Sequence, residues 1–188
     1  TRTNIKKWSV GSPIQAPLDA LQLIRKQHPF DLDQLQQVIV RVGTSEAHIV
    51  DNRDMPDISM QHMMAVMLVD GTASFKAAHD RARMQDPAII AVRSKVMLVP
   101  DEGLQRLYPA RVAIVEVILR NGAHYTQRID AVRGSAENPM TSDEVAEKAR
   151  DLTTPFLGQN KSSRLIDAIF SIEKMPDIRR LSPLLQRG

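Results

Sequence analysis

Cysteine is absent from all 188 residues. The chain therefore forms no disulfide, supplies no thiol nucleophile and ligates neither a zinc–thiolate site nor an iron–sulfur cluster. Aromatic residues make up 4%, with a single Trp, which leaves little to stack on nucleic-acid bases. No stretch approaches the roughly 18 apolar residues of a spanning helix, and Thr1-Arg2-Thr3-Asn4-Ile5-Lys6-Lys7 leads into no hydrophobic run of the signal-peptide kind. The eight glycines are scattered, with neither a dinucleotide fingerprint nor a Walker A loop, and no serine sits in a nucleophile elbow. His28, His48, His62, His79 and His124 lie far apart, none with a partner at ligand spacing, so no metal site is expected.

What is present is a chain with 43% hydrophobic residues and a net charge of +3, too apolar and too weakly charged for disorder. Its length suits one full-sized domain with a helical appendage. The charge is unevenly spread: residues 1–30 sum to +4, residues 31–158 to −4 and residues 159–188 to +3. Basic ends around an acidic middle raise the question of nucleic acid. The central cations alternate with acids and no helix shows a one-sided basic stripe, so no nucleic-acid partner and no membrane partner is expected. The expected compartment is the cytoplasm, and the start at Thr rather than Met suggests a piece of something longer.

Periodicity places the elements. Ser12-Pro13-Ile14-Gln15 has the look of a capped helix start, followed by Ile14, Leu18, Leu21 and Ile24 on one face, with Pro17 threatening a kink. Val38, Val40 and Val42 alternate as a strand. The run Met60–Val69 is apolar nearly all round, which predicts a buried helix stopped at Asp70-Gly71. A helix over Ala73–Arg83 with Phe75, Ala78 and Ala82 inward, a short one from Asp86-Pro87 and a strand over Lys95–Val99 follow. Asn121-Gly122 between two strand-like runs, Ala110–Leu119 and Ala123–Val132, is a hairpin signal of the kind in which both central residues take positive φ. Thr141-Ser142-Asp143-Glu144 reads as a capping box. The next helix starts near Asn160 or Ser162 and carries Leu165, Ile166, Ile169, Phe170 and Ile172. The order predicts an α+β fold: a small, mostly antiparallel sheet packed with helices, followed by C-terminal helices.

Few residues offer chemistry. His62 lies inside the apolar helix, beside Gln61 and one turn from Ser59. It is either a hydrogen-bonded core histidine or, with Ser59 and Gln61, the lining of a pocket at a helix start, where a carboxylate is favoured and a half-buried imidazole serves as acid or base. Lys6-Lys7-Trp8 is either a solvated tail or a cation placed to clamp an anion.

Several segments, in order, resemble the MmgE/PrpD family. They are Ile5-Lys6-Lys7-Trp8 with Gln15-Ala16-Pro17-Leu18-Asp19-Ala20, then Ser59-Met60-Gln61-His62 through Asp70-Gly71, the Val115–Gly122 hairpin, the Gly134…Asn138-Pro139-Met140-Thr141 turn and the Glu147-Lys148 helix. The resemblance covers nearly the whole chain, each piece is loose, and its weight lies in order and spacing. It implies a cofactor-free lyase or isomerase on small di- or tricarboxylates, typically homodimeric, working by proton transfer next to a carboxylate in a cleft between a helical domain and a smaller lid. It divides the chain into residues 1–12, a linker from a missing N-terminal helical domain that would be its partner, residues 13–140, the lid, and residues 141–188, C-terminal helices. Carried over by position, Lys6 and His62 take catalytic roles, and Gln15, Ser59 and Gln61 bind substrate. Ile58 stands where members often have His, His62 where they have an aromatic, and Ser9 replaces a proline. A non-catalytic binding or dimerisation module, with the same polar residues structural, is the alternative.

Overall fold

A computed structural model describes residues 3–186; Thr1, Arg2, Arg187 and Gly188, which belong to the expected linker and C-terminal helices, lie outside the described residues. The chain divides into two compact units, one running to Pro139 and one from Met140 onward.

The first unit is built on a four-stranded sheet of order β2-β1-β3-β4, with β1 at Leu35–Gly43, β2 at Val96–Asp101, β3 at Ala113–Leu119 and β4 at His124–Ile129. β1 pairs antiparallel with β3 and parallel with β2, and β3 pairs antiparallel with β4. The α+β expectation holds, in the form of a mixed sheet. Strand alternation decides which face is covered: Val38 sits opposite Val117 and Val40 opposite Val115, and all four are fully buried. Ile39 and Glu116, one residue out of phase, face the other way and are half-buried.

Helix α1, Ser12–Gln27, lies on β3 and β4 and against α3, Met60–Asp70. The expected side-chain cap is not there: Gly11 is the N-cap, Ser12 is already helical, and the amide of Gln15 is engaged elsewhere. Pro17 stays inside the helix, fully within the buried face. Helix α3 is as apolar as its sequence, with Met60 through Leu68 all buried. Gly71 ends it at φ 74°, a left-handed conformation that costs a side-chain-bearing residue energy.

Helix α2, Thr44–Val50, was not apparent from periodicity. It follows β1 directly, and Glu46 on it pairs with Arg111. The helix expected over Ala73–Arg83 is broken: α4 covers Phe75–His79, and Asp80 then caps a 3-10 turn, Arg81–Gln85, by accepting from Ala82 N–H. The break turns Ala82 outward and buries Met84 instead. Helix α5, Pro87–Arg93, packs on α3, and the four-residue α6, Glu102–Gln105, on β1. The hairpin differs too. Gly122 N–H bonds Leu119 O and Leu119 N–H bonds Ala123 O, making a three-residue loop in which Gly122 alone has positive φ, 85°.

In the second unit, Thr141 and Glu144 form the predicted reciprocal cap of α7, Ser142–Leu157. Gly158 ends α7 and α8 follows over Gln159–Phe170, with the Thr153 hydroxyl 2.5 Å from that of the buried Ser162. Of the apolar residues expected on this helix, Leu165 and Ile166 are buried, whereas Ile169, Phe170 and Ile172 are exposed. A last helix, α9, spans Ser182–Leu185.

Met64 is completely buried in the middle of α3, so Met64→Ala should lower stability by about 2–5 kcal/mol. A urea midpoint unchanged from wild type would contradict the packing described.

Candidate active site

Residues 5–11, expected as a linker, run along the first unit and are bonded to it at three places. Ile5 N–H donates to Gly134 O and Gly11 N–H to Asp57 O, both at 2.8 Å. Between them Trp8 is held through every polar group it has. Its backbone N–H donates to Gln15 Oε1 (3.1 Å), its carbonyl accepts from Gln15 Nε2 (2.8 Å), and its indole N–H donates to Asp19 Oδ1 (2.9 Å). Gln15 and Asp19 are four residues apart and so share one face of α1. The other Asp19 oxygen accepts the backbone N–H of Arg133 at 2.8 Å. Asp19 is buried, and burial, against the pull of these donors and of Lys7, pushes its carboxyl above the ordinary range.

This arrangement separates the two adjacent lysines. Lys7 lies 4.5 Å from the Trp8 ring centroid and 3.8 Å from Asp19, and donates to Gln22. Lys6 is exposed; its ammonium reaches only Val10 O, at 3.5 Å, and pairs with no carboxylate among the described residues. Gln15 has spent both amide protons, on Trp8 O and Val10 O (3.2 Å), and has no donor left for a ligand.

Gly11, bonded to Asp57, brings the segment to the 3-10 turn Pro56–Ile58 that leads into α3. Ser59 is the N-cap of α3, yet its side chain makes no capping bond. Its hydroxyl and both ring nitrogens of His62 are buried without a hydrogen-bond partner among the described residues. Three residues apart, Ser59 and His62 lie on one side of the first turn. Leaving such groups unpaired costs about 1–3 kcal/mol each; the Ser135 hydroxyl, elsewhere in the first unit, is the other buried side-chain group without a partner among the described residues. Gln61, next in sequence, differs: it accepts from Asn52 N–H (2.9 Å) and donates to Asp51 Oδ1 (2.7 Å), fixing the turn after α2.

The structure therefore brings Ser59 and His62 together and ties the Lys6 segment to the turn before them. It commits Gln15 and Gln61 to internal bonds. Asp19 and Trp8 carry more of the architecture than the sequence disclosed. The readable signal was a polar pair four residues apart on an otherwise apolar helix face. Elsewhere, a shallow hollow of about 260 Å³ at the β3–β4 turn is lined by Asp33, Gln34, Arg120 and Asn121 and contains none of the candidates. Among the described residues no three His, Asp or Glu side chains converge as a metal site would require, and no helix is long and apolar enough to cross a membrane.

Burial lowers the pKa of His62 from 6.5 to about 4, with the charges of Arg93 and Arg83 adding to the effect. At neutral pH its imidazole is thus uncharged, a proton acceptor.

The fold and this pairing define an α+β domain with an exposed lysine and a buried Ser–His turn that has no hydrogen-bond partner among the described residues. The chain belongs to the MmgE/PrpD family: residues 8–173 match the MmgE/PrpD C-terminal domain. It is similar to cis-aconitate decarboxylase from Homo sapiens, 26% identical over 171 residues, covering 87% of this chain and 34% of the relative. It is also similar to cis-aconitate decarboxylase from Mus musculus, 22% identical over 163 residues, covering 84% and 33%. The chain spans about a third of the length of these relatives, which are lyases.

The His62 environment sets a pH dependence. Its folded pKa, about 4, lies below the unfolded 6.5, so the unfolded chain binds the extra proton between these values. The stability from neutral His62 is complete above the unfolded pKa and falls by roughly 3 kcal/mol as the pH drops to 4. Asp19, shifted upward, acts in the opposite sense, so the comparison is with His62→Phe. That variant should lose less of its urea midpoint between pH 7 and 4.5 than wild type, and equal losses would contradict the assignment.

Proposed function

We propose that the chain is the C-terminal part of a cytoplasmic, cofactor-independent lyase or isomerase acting on small di- or tricarboxylates by proton transfer next to a carboxylate. The observation that carries this reading is the unpartnered Ser59–His62 turn, reached by a segment whose lysine is exposed and unpaired with any described carboxylate. The Lys6 ammonium would hold a substrate carboxylate and offset the negative charge that builds as the neighbouring carbon is deprotonated. Neutral His62 is the candidate base: the proton passes to its free ring nitrogen, and the electron pair left on carbon forms the double bond as hydroxide departs. In a decarboxylation no proton is abstracted first: the pair comes from the bond to the departing CO2, and a proton drawn from water, delivered through His62, is added to the carbon. Ser59 would orient the second carboxylate. Gln61, and Gln15 through Trp8, support the site in this reading rather than touch substrate.

The same reading gives the rest: an N-terminal helical domain of the same protein would supply the other half of the cleft, and two copies would form a dimer; the chain's spanning only about a third of its relatives leaves room for such a domain. The finer form is a 2-methylcitrate dehydratase-like hydro-lyase of propionate metabolism, and the relatives' name makes cis-aconitate the competing substrate. The other reading is a binding or dimerisation module, favoured by the full burial of His62 and the internal bonds of Gln15 and Gln61.

Assays with 2-methyl-cis-aconitate and cis-aconitate separate these readings. The 188-residue chain alone should show no turnover and the protein extended by its upstream helices should show it. In the extended protein, His62→Phe should cut kcat by about 100-fold. Unchanged turnover with lowered stability would make His62 a core residue and favour the binding module.

A further inference from the structure

The lysine given the anion-holding role has almost no hold of its own. Its side chain is exposed and makes one long contact, to Val10 O at 3.5 Å. Its backbone, in contrast, lies between two anchors. On one side Ile5 N–H is bonded to Gly134 O. On the other, Trp8 is bonded through its N–H, its carbonyl and its indole. Both anchors lead to one buried side chain. Asp19 Oδ1 takes the Trp8 indole N–H at 2.9 Å, and Asp19 Oδ2 takes Arg133 N–H at 2.8 Å, fixing the loop that presents Gly134. That loop is further closed by Gly134 N–H to Asn138 O (2.8 Å) and Asn138 Nδ2 to Ala131 O (3.1 Å).

We propose that Asp19 is a positioning residue for Lys6: its buried carboxylate holds the two flanking anchors and so sets where the ammonium meets a substrate carboxylate. This rests on the reading that Lys6 holds the substrate. The physical requirement is strict, because a cation misplaced by an ångström loses much of its effect on a developing charge. A flexible lysine on a free segment would spend binding energy on ordering itself. The clamp removes that cost in advance. A carboxylate held away from water is expensive unless donors satisfy its oxygens, and the two donors that do so here are the two anchors. Lys7 contributes in the same way. By lying against the Trp8 ring and near Asp19, it balances the buried charge and leaves Lys6 as the lysine that faces outward.

The test is a double-mutant cycle in the extended, active protein, read as kcat and KM for the better of the two polycarboxylates. Lys6→Ala should lower kcat/KM by about 100-fold and Asp19→Asn by about tenfold. Asn keeps an acceptor for the indole and loses the one for Arg133 N–H. The double variant should be no worse than Lys6→Ala alone, because Asp19 acts only through the lysine. If the two losses multiply, Asp19 is structural and the positioning role is overturned while the role of Lys6 stands. If Lys6→Ala leaves kcat/KM unchanged, the underlying reading of Lys6 falls, and the positioning role with it. Should Asp19→Asn fail to fold, Trp8→Phe keeps an aromatic ring and both backbone bonds to Gln15 and removes the indole bond. It should cost about threefold, again without adding to Lys6→Ala, and should speed amide exchange at residues 5–8 in the 188-residue chain. Unchanged exchange there would overturn the clamp.

Discussion

Helix α1 carries two polar side chains on a face that is otherwise apolar, and most of what is distinctive in the first unit hangs from them. Gln15 and Asp19 between them satisfy all three hydrogen-bonding groups of Trp8, and Asp19 reaches across to the backbone of Arg133. Two stretches are thereby fixed to one helix: the residues around Trp8, just before α1, and the loop that follows β4, 114 residues beyond Asp19. An isolated buried carboxylate would destabilise the fold. Here each oxygen receives a donor, so the desolvation cost becomes specificity for one path of the chain. That path delivers Gly11 to Asp57, at the turn that opens into α3.

Helix α3 shows the opposite treatment of polarity. Its interior is methionine and other apolar side chains packed on every side, a soft and adaptable filling. Into this the sequence places a serine and a histidine and gives neither a partner among the described residues. Gln61, between them in sequence, is bonded through both its amide oxygen and its amide nitrogen to the Asp51–Asn52 turn, so the local structure is able to satisfy polar groups. On the proposed reading, Ser59 and His62 are the focus of chemistry. Neutralising the imidazole through burial gives a base and not a cation at physiological pH.

Much of this was legible from residue order. The all-round apolar run with Gly71 after it fixed α3, the reciprocal Thr141–Glu144 pattern fixed the start of α7, and Asn121-Gly122 marked the hairpin. What escaped was set by contacts remote in sequence. Gln15 looked like half of a local cap, yet its amide is taken by the backbone of Trp8, seven residues earlier. Helix α2 is too short to show a period. Asp80 broke an otherwise helical pattern because its carboxylate competes for backbone N–H groups. The parallel pairing of β1 with β2 depends on a long crossover and has no local signature. Among the candidate residues, spacing groups Ser59, Gln61 and His62 alike; only coordinates separate Gln61, bonded to Asp51 and Asn52, from the other two, and exposed Lys6 from committed Lys7.

The central claim is that this family member moves a proton on the carbon beside a carboxylate. Its most direct test is deuterium exchange at that carbon, followed by NMR in D2O with the extended protein and a panel of di- and tricarboxylates. The account predicts wash-in of deuterium at the carbon next to a carboxylate in at least one substrate, faster than net turnover or alongside it, and its disappearance on loss of His62. Turnover with no incorporation at that carbon, or undiminished incorporation without the histidine, would contradict it.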